Sequence, residues 1–588
     1  MENVSIIKKI AEQAELYSDD TAIEDAYGGI TFRELKTLTA KFAAALLAAP
    51  AGAGLSSDGG RVGLLLPRIK EYMPAMYGVI QAGGSFIFLD TEYPSERRSF
   101  IAGDTGMQLV ITTERLLAEL NPEKELGVKR DNIITVENVL KAAETEVADF
   151  SAEEKEALIL YTSGTTGQPK GVVHTNVVFR GISEFCKISL REQQLGVERP
   201  RYALLAGLGF MATMHNILCA LWIGGRVSIF DGEERRNLQV MADAIKNKHI
   251  DGLFLPPKMA KKLLLMYPEL PLKFLLLGGE KANDFPKTNI RLIERYAMSE
   301  AYNVVVTHQV EHGESSRLLG RVCPIYEGIL LDEENHVVTE PGAVGELCLL
   351  GDFLSSGYLN RPEETAVKFA PSPVDGRRMF RTGDLMTWLE GGNLEFHGRA
   401  DNLVKLNGFR IELGEIDEVM RGVNGVAEAV DIVKPINGTD HLFCYYEVKK
   451  DETVTHEALK EQAEKFLPEY MVPSVFEKLD EIPRNQNGKV DRKVLKELSY
   501  TVPKADAITD SPKDELEKFV CEAFAEVLDL AEVGPVQDFG ALGGDSISCS
   551  MLLLRLSERD YLVTYKDVQQ NPTPRQLAEF LRQAGQVE

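Results

Sequence analysis

Leu158-Ile-Leu-Tyr-Thr162-Ser163-Gly164-Thr165-Thr166-Gly167-Gln-Pro-Lys170-Gly171 joins a short apolar run to a loop holding four hydroxyls, three glycines and one lysine. Leu158–Tyr161 has the length and composition of a buried strand. In the loop, glycines let backbone N–H groups converge on an anion, hydroxyls donate further bonds, and the lysine supplies charge. The segment therefore reads as a strand running into a phosphate cradle. It is not the GxxxxGK[ST] loop, because Lys170 does not directly follow Gly167. The competing reading is an ordinary flexible Gly/Thr surface loop.

Working outward, Val62–Leu66, Ser85–Leu89, Val227–Phe230, Gly252–Leu255 and Phe274–Leu277 are further strand-like runs separated by amphipathic stretches. That alternation predicts an α/β domain with substantial parallel sheet. Ala49–Gly60 reads as a surface loop by composition. Beyond Arg399 the pieces become shorter, mixing α and β, and they end near Leu498. Polar Tyr500–Asp510 reads as a linker. From Ser511 the chain is expected to be helical, with Ser511 as cap and Pro512 at the first helical position. Leu516, Phe519, Val520, Phe524 and Val527 form its apolar face. Thr573-Pro574 opens a last helix, with Leu577, Phe580 and Leu581 on its inner stripe.

At 588 residues the chain has room for roughly three to four globular units. Apolar residues are 44% and charged residues 26%, which excludes a wholly disordered or collagen-like chain. The formal charge of −25 argues against a general basic surface for nucleic acid or anionic lipid. Residues 513–588 hold 14 acidic and 7 basic side chains, so the C-terminal region is itself acidic. No apolar run approaches the ~20 residues of a membrane span, and the N-terminus lacks a secretory leader pattern. Seven dispersed cysteines without a CxxC read as reduced core thiols, and the expected location is cytoplasmic.

Other motifs stand in a telling order. They are Gln81-Ala-Gly-Gly84 through Asp90, Tyr296-Ala-Met-Ser299-Glu300, Gly345-Glu-Leu, Gly357-Tyr-Leu-Asn-Arg-Pro362 and Arg381-Thr-Gly-Asp-Leu385. Gly398-Arg-Ala-Asp401, Gly408-Phe-Arg-Ile-Glu-Leu-Gly-Glu-Ile416, Leu467-Pro-Glu-Tyr-Met-Val-Pro473 and Asn487-Gly-Lys489-Val-Asp-Arg492 follow. With the opening loop, this set resembles the acyl-adenylate-forming enzymes, specifically adenylation domains of nonribosomal peptide synthetases, over nearly the whole chain. Tyr296-Ala-Met-Ser-Glu300 departs from the family's usual Tyr-Gly-Pro-Thr-Glu. The resemblance implies a multidomain protein: a large α/β N-lobe, a small α+β C-lobe on a hinge, and a C-terminal four-helix carrier. The implied bounds are 1–398 for the N-lobe, 399–500 for the mobile C-lobe, 501–511 for a linker and 512–588 for the carrier.

The resemblance also implies roles. Thr162, Ser163, Gly164, Thr165, Thr166, Gly167 and Lys170 would hold the ATP phosphates. Asp384 would take the ribose hydroxyls, since a carboxylate can accept two O–H bonds. Tyr296 would lie against adenine with Ser299 nearby, and Arg399 would contact the nucleotide. Glu300 would help hold Mg²⁺, a hard cation suited to oxygen ligands. Lys489 would bridge the substrate carboxylate and the nucleotide. After adenylation the C-lobe would swing about Asp401, bringing the Asn407–Arg410 loop to line a pantetheine passage.

Asp538-Phe-Gly-Ala-Leu-Gly-Gly-Asp545-Ser546-Ile547 is the second strong signal. A serine at a loop-to-helix start inside a small helical domain resembles peptidyl carrier proteins, whose serine receives 4′-phosphopantetheine from CoA. A phosphopantetheinyl transferase is then an implied partner, as is a condensation or other carrier-using domain in trans. Gly-Asp-Ser also opens one class of hydrolases, but that site needs a His/Asp relay and an α/β sheet that a short helical region lacks. His308-Gln-Val-Glu-His312 matches HxxEH, a zinc pattern. It follows the strand-like Asn303–Thr307, where the two histidines would lie ~13 Å apart rather than on one helical turn.

Three whole-protein readings arise. One is an enzyme that adenylates a small carboxylic acid and loads it on its own carrier; another is a carboxylate–CoA ligase, which needs no fused carrier. The third is a degenerate scaffold, which has no need for Lys170, Glu300, Asp384, Arg399 and Lys489 together. The substrate is addressed by a departure from the family. Domains for α-amino acids usually carry Phe-Asp-x-Ser, whose aspartate pairs with the ammonium. Counting back from Gly224-Gly225, Phe210-Met211-Ala212-Thr213 stands there. A buried ammonium facing a thioether would lack a partner. The same matching lines the pocket with Met211, Ala212, His215, Phe254, Leu276, Gly278, Arg295, Asn303 and Val304. The expectation is an aryl, hydroxy, keto or other acid without a free α-ammonium, the alternative being a standard α-amino acid. Arg295 either favours an anionic group or pairs with Glu294 or Glu300.

Overall fold

The computed structural model describes the chain except residues 1–4, 51–54, 56–58, 165–167, 193–196, 303, 314–317, 401–402, 407, 437–438, 485–489, 500–509, 529, 531, 541, 545, 558, 560 and 585–588. For residues 189–192, 212, 213, 439, 546, 547 and 554 only the backbone is described.

Gly252–Leu255 and Phe274–Leu277 are four-residue strands in parallel register, Gly252 opposite Phe274 and Leu255 opposite Leu277. Short, almost wholly apolar runs of this kind suit parallel strands covered on both faces. Val62–Leu66, Ser85–Leu89 and Val227–Phe230 likewise overlap strands, at Arg61–Leu64, Ser85–Phe88 and Arg226–Ile229. The chain packs as two compact units.

The first unit comprises Met1–Asp231 and Ile245–Arg410. Most of its described strands form a seven-stranded and a thirteen-stranded sheet. In the smaller sheet, Arg61–Leu64, Ser85–Phe88 and Glu156–Thr162 run parallel, and Glu156–Thr162 then pairs antiparallel with Lys170–Thr175. The opening loop thus closes a hairpin, with Thr162 opposite Lys170. In the larger sheet Phe274–Leu277 runs parallel to Arg291–Ala297, which turns antiparallel into Val304–Gln309. Farther along, Met379–Leu389 and Asn393–Arg399 are antiparallel neighbours that set Asp384 opposite Arg399. His308 lies within the Val304–Gln309 strand and His312 beyond it, so HxxEH does not form the helical turn a metal pair needs.

The second unit comprises Gly232–Ala244 and Ile411–Glu588, the division falling between Arg410 and Ile411. Val426–Ile436, Thr439–Val448 and Val475–Lys478 make its three-stranded sheet. Its C-terminal part holds helices at Glu515–Val527, Ser546–Ser557, Tyr565–Gln570 and Pro574–Gln583 around Leu516, Phe519, Val520, Phe524, Leu552, Leu577 and Leu581. Thr573-Pro574 opens the last helix as expected, and Thr573 caps it in a reciprocal pair with Gln576. The start of the first carrier helix is corrected. Asp514, not Ser511, is the cap, accepting from the Glu517 N–H, and Pro512 precedes the helix. A carboxylate is an equally good cap, and the Lys513 N–H donating to Glu517 Oε2 closes the same turn. The linker at 500–509 lies outside the described residues. All seven cysteines are free thiols, six of them buried.

Buried charge in the second unit has a stability consequence. Asp431 is fully buried, and its backbone N–H donates to Asp417 Oδ1 at 2.6 Å. Arg492 pairs with Asp417. Burial first, then the Asp417 charge, push the Asp431 carboxyl well above the usual range. A carboxyl raised in the folded state contributes stability that is full below its unfolded value of ~3.9 and is lost as pH rises through the folded value. Asp431→Asn removes that loss. The melting temperature of the variant relative to wild type is expected to climb between pH 4 and pH 8, by roughly 2–4 °C per kcal/mol recovered. A pH-independent difference would contradict this origin.

Candidate active site

The cradle loop owes its shape to its glycines. A Cβ at Gly164 would sit 1.9 Å from the Gln168 carbonyl oxygen, so only glycine permits the chain to fold back there. Thr162 Oγ1 is buried without a hydrogen-bond partner, a donor left over for a ligand. Ser163 Oγ donates to the Arg410 carbonyl at 3.2 Å. Thr165, Thr166 and Gly167 lie outside the described residues.

Lys170 is buried, with Nζ 2.7 Å from Glu364 Oε1 and 4.4 Å above the Tyr358 ring. The Tyr358 hydroxyl donates to Glu300 Oε1 at 2.9 Å, and Arg410 Nη1 donates to Glu300 Oε2 at 2.9 Å. Burial alone would raise the Glu300 carboxyl, but the charges of Arg410 and Lys170 outweigh it and hold it at about 2. An ionised, desolvated carboxylate is an oxygen ligand of the kind Mg²⁺ takes. Here Arg410 carries the balancing charge. Behind it, His174 bonds the Ser299 carbonyl at 2.7 Å. Burial lowers its imidazole to about 4, so it is neutral at physiological pH.

A second cluster forms around Asp384, which is 2% exposed. Arg399 Nη1 donates to Asp384 Oδ1 at 2.7 Å, and the Tyr296 hydroxyl donates to Oδ2. Thr382 Oγ1 accepts the Asp384 N–H at 3.0 Å. Lys405 Nζ lies 4.9 Å from the Tyr296 ring centre. The arrangement fixes one carboxylate, one aromatic face and two cations together, which suits a sugar, a base and a phosphate.

The pocket residues assemble around the Met211–Trp222 helix. Met211 and His215, one turn apart, are buried. The His215 ring packs edge-on to Phe185 at 4.7 Å, and its nitrogens lie 3.7–3.8 Å from Cys219 Sγ. Arg295 Nη1 donates to Asn216 Oδ1 at 2.6 Å. Phe185, Val304 and Cys323 share a buried cluster with Cys219 against it. A Cβ at Gly278 would meet the Arg295 carbonyl at 2.8 Å and the Phe254 ring at 3.1 Å. Leu276 and Met211 belong to the main core, with Phe254 against it. Arg295 pairs with neither expected glutamate: Glu294 takes Lys281 at 2.7 Å, and Glu300 takes Arg410.

Asp401, Asn303 and Lys489, and the Ala212 side chain, lie outside the described residues. Ser546 opens the Ser546–Ser557 helix, its side chain likewise not described. Sequence reasoning missed Glu364, His174, Asn216, Phe185 and the contact role of Tyr358. Only Tyr358 carried a signal, its place in Gly357-Tyr-Leu-Asn-Arg-Pro362.

Comparison with known proteins gives the family of the chain. The family model for AMP-binding enzyme matches residues 10–359, and the model for a phosphopantetheine attachment site matches residues 518–581. The chain belongs to the AMP-binding enzyme family, whose members form acyl-adenylates from carboxylic acids and ATP with Mg²⁺. Within it, the added carrier match gives the adenylation-plus-carrier organisation of nonribosomal peptide synthetases. Surfactin synthase subunit 2 of Bacillus subtilis (strain 168) is 32% identical over 583 residues, 97% of this chain and 16% of that protein. Tyrocidine synthase 1 of Brevibacillus parabrevis is 31% identical over 593 residues, 98% of this chain and 53% of that protein. This chain thus spans about a sixth and about half of these relatives. The structure of holo-PA1221, an NRPS protein containing adenylation and PCP domains, superposes with a TM-score of 0.78 at 23% identity, covering 98% of this chain and 96% of that one. That likeness establishes the fold. Among the described residues no helix is long and apolar enough to cross a membrane.

Proposed function

We propose that this chain activates a carboxylic acid as acyl-AMP and passes the acyl group to a phosphopantetheine arm on its own Ser546. The observation that carries the reading is the AMP-binding match and the carrier match on one chain. A carboxylate is a poor electrophile, and joining it to AMP with release of pyrophosphate makes it a good one. Lys170 and the Thr162–Ser163 hydroxyls hold the phosphates, and Glu300 holds the metal charge. Asp384, Tyr296 and Arg399 fix the nucleoside. Lys489 neutralises charge as the acid's oxygen attacks the α-phosphorus. The arm supplies a thiol that accepts the acyl group as a thioester, with release of AMP. Residues Asp538–Ser546 fit such an arm by motif, and Ser546 stands at a helix start. A transferase must install the arm, and a carrier-using domain must consume the product.

The acid in this reading lacks a free α-ammonium. Met211, rather than an aspartate, stands at the buried start of the pocket helix. ATP–pyrophosphate exchange across amino, hydroxy, keto, aryl and dicarboxylic acids tests it. A des-amino acid is expected to exceed its α-amino counterpart in kcat/KM by at least ~10-fold, the ammonium being desolvated without an ion partner. An ordinary L-α-amino acid as best substrate would overturn the Met211 argument and leave the enzyme class intact.

A further inference from the structure

We propose that the substrate carries a second carboxylate and that Arg295 receives it, an inference that rests on the acid-activating reading above. Arg295 is 7% exposed. Its Nη1 has Asn216, while its Nε is buried with no hydrogen-bond partner. Among the described residues no carboxylate pairs with it. Side chains alternate along a strand, so Glu294 and Tyr296 leave the face opposite to Arg295. On that other face Glu294 meets Lys281 and Tyr296 meets Asp384.

The surroundings of Arg295 are apolar or weakly acidic instead. Its guanidinium lies 5.3 Å from the Phe185 ring centre, with Tyr202, Cys186, Cys219 and Cys323 as its ionisable neighbours. Burial lowers its own pKa, outweighing the nearby thiols and Tyr202, which act in the opposite sense. A guanidinium desolvated this far is costly unless an anion completes it, and its planar fork matches a carboxylate bidentately.

That anion is not the carboxylate undergoing adenylation. The reacting group belongs beside the nucleotide, on the Tyr296–Asp384 side of the strand, whereas Arg295 reaches toward Asn216 and Phe185. In this reading the acid passes the end of the Phe274–Leu277 strand at Gly278, which lies against the Arg295 carbonyl, and ends in a second carboxylate at Arg295. His215, in edge contact with Phe185, borders the same place.

The test is pyrophosphate exchange on the full chain with pairs that differ only in the distal group: glutarate and glutaramate, adipate and adipamate, 2-oxoglutarate and its 5-amide, with L-glutamate and L-glutamine as the amino-bearing pair. Each diacid is expected to exceed its amide by ~10²-fold in kcat/KM, the discrimination typical of a polar pocket left unsatisfied. Arg295→Gln should collapse the ratio toward unity and Arg295→Lys should keep part of it. The wild-type ratio decides without any variant, so a misfolded Arg295→Gln does not shelter the proposal. Amides or simple monocarboxylates as the better substrates would overturn it, as would an undiminished ratio in a folded Arg295→Gln protein. L-glutamate exceeding glutarate and 2-oxoglutarate would support the Arg295 assignment and defeat the Met211 reading. A des-amino monocarboxylate as best substrate would do the reverse.

Discussion

Ser546→Ala is expected to abolish acyl loading while acyl-adenylate formation stays near wild type. Thr162, Lys170, Glu300, Asp384 and Arg399 belong to the first unit, whereas Ser546 belongs to the second. The substitution is structurally mild. Alanine is the best helix former, and the Ser546–Ser557 helix is held by Cys549, Leu552, Leu553 and Leu556, all buried. The turn before it is fixed independently. Gly543 has φ 95°, and a Cβ at Gly544 would lie 2.2 Å from the Phe539 ring. That ring packs on Phe524 at 5.0 Å, and the Phe539 N–H donates to the Pro572 carbonyl at 2.7 Å. A loss of loading in Ser546→Ala would thus be a loss of chemistry. Intact-mass spectrometry after incubation with CoA and a phosphopantetheinyl transferase reads the first step, and pyrophosphate exchange reads the other half-reaction. Attachment at any other residue would refute the assignment.

Much of the fold was legible because parallel strands write themselves as short apolar runs. Gly252–Leu255 and Phe274–Leu277 coincide with their strands residue for residue. Helix starts were less so. Ser511-Pro512 and Asp514 each satisfy the capping rules, and only the packing of Leu516 and Phe519 against the later helices selects Asp514. In the active site, motifs supplied the residues but not their partners. Lys170 finds Glu364 at a separation of 194 residues and Glu300 finds Arg410 at 110. No local pattern encodes such pairs. Arg295 is the instructive failure, since sequence proximity offered Glu294 as its partner. Adjacent residues on a strand face opposite ways, so the nearest charge in sequence was the one least able to reach it.

Lys489→Ala is expected to slow adenylation by roughly 10²–10³-fold, the typical cost of deleting one preorganised donor at developing charge. Lys489 itself lies outside the described residues, but its flanks are anchored. Arg484 and Val490 form an antiparallel bridge across it. Arg484 pairs with Glu428 at 3.2 Å, and Arg492 pairs with Asp417. Asp491 caps the Arg492–Glu497 helix, accepting from the Lys493 and Val494 N–H groups at 3.1 and 3.3 Å. A donor that meets charge developing on the α-phosphate is worth orders of magnitude, unlike an exposed surface charge. If the lobe bearing it swings away after adenylation, transfer from a supplied acyl-adenylate to the carrier should change far less. Asp384→Ala is the contrasting case. It leaves Arg399 and the Tyr296 hydroxyl without their shared acceptor in the first unit, so nucleotide affinity should fall in both half-reactions. Single-turnover measurements of each half-reaction separate the two patterns. Equal losses in both steps for Lys489→Ala would mean that the lysine stays at the nucleotide throughout, and the two-state scheme would fall.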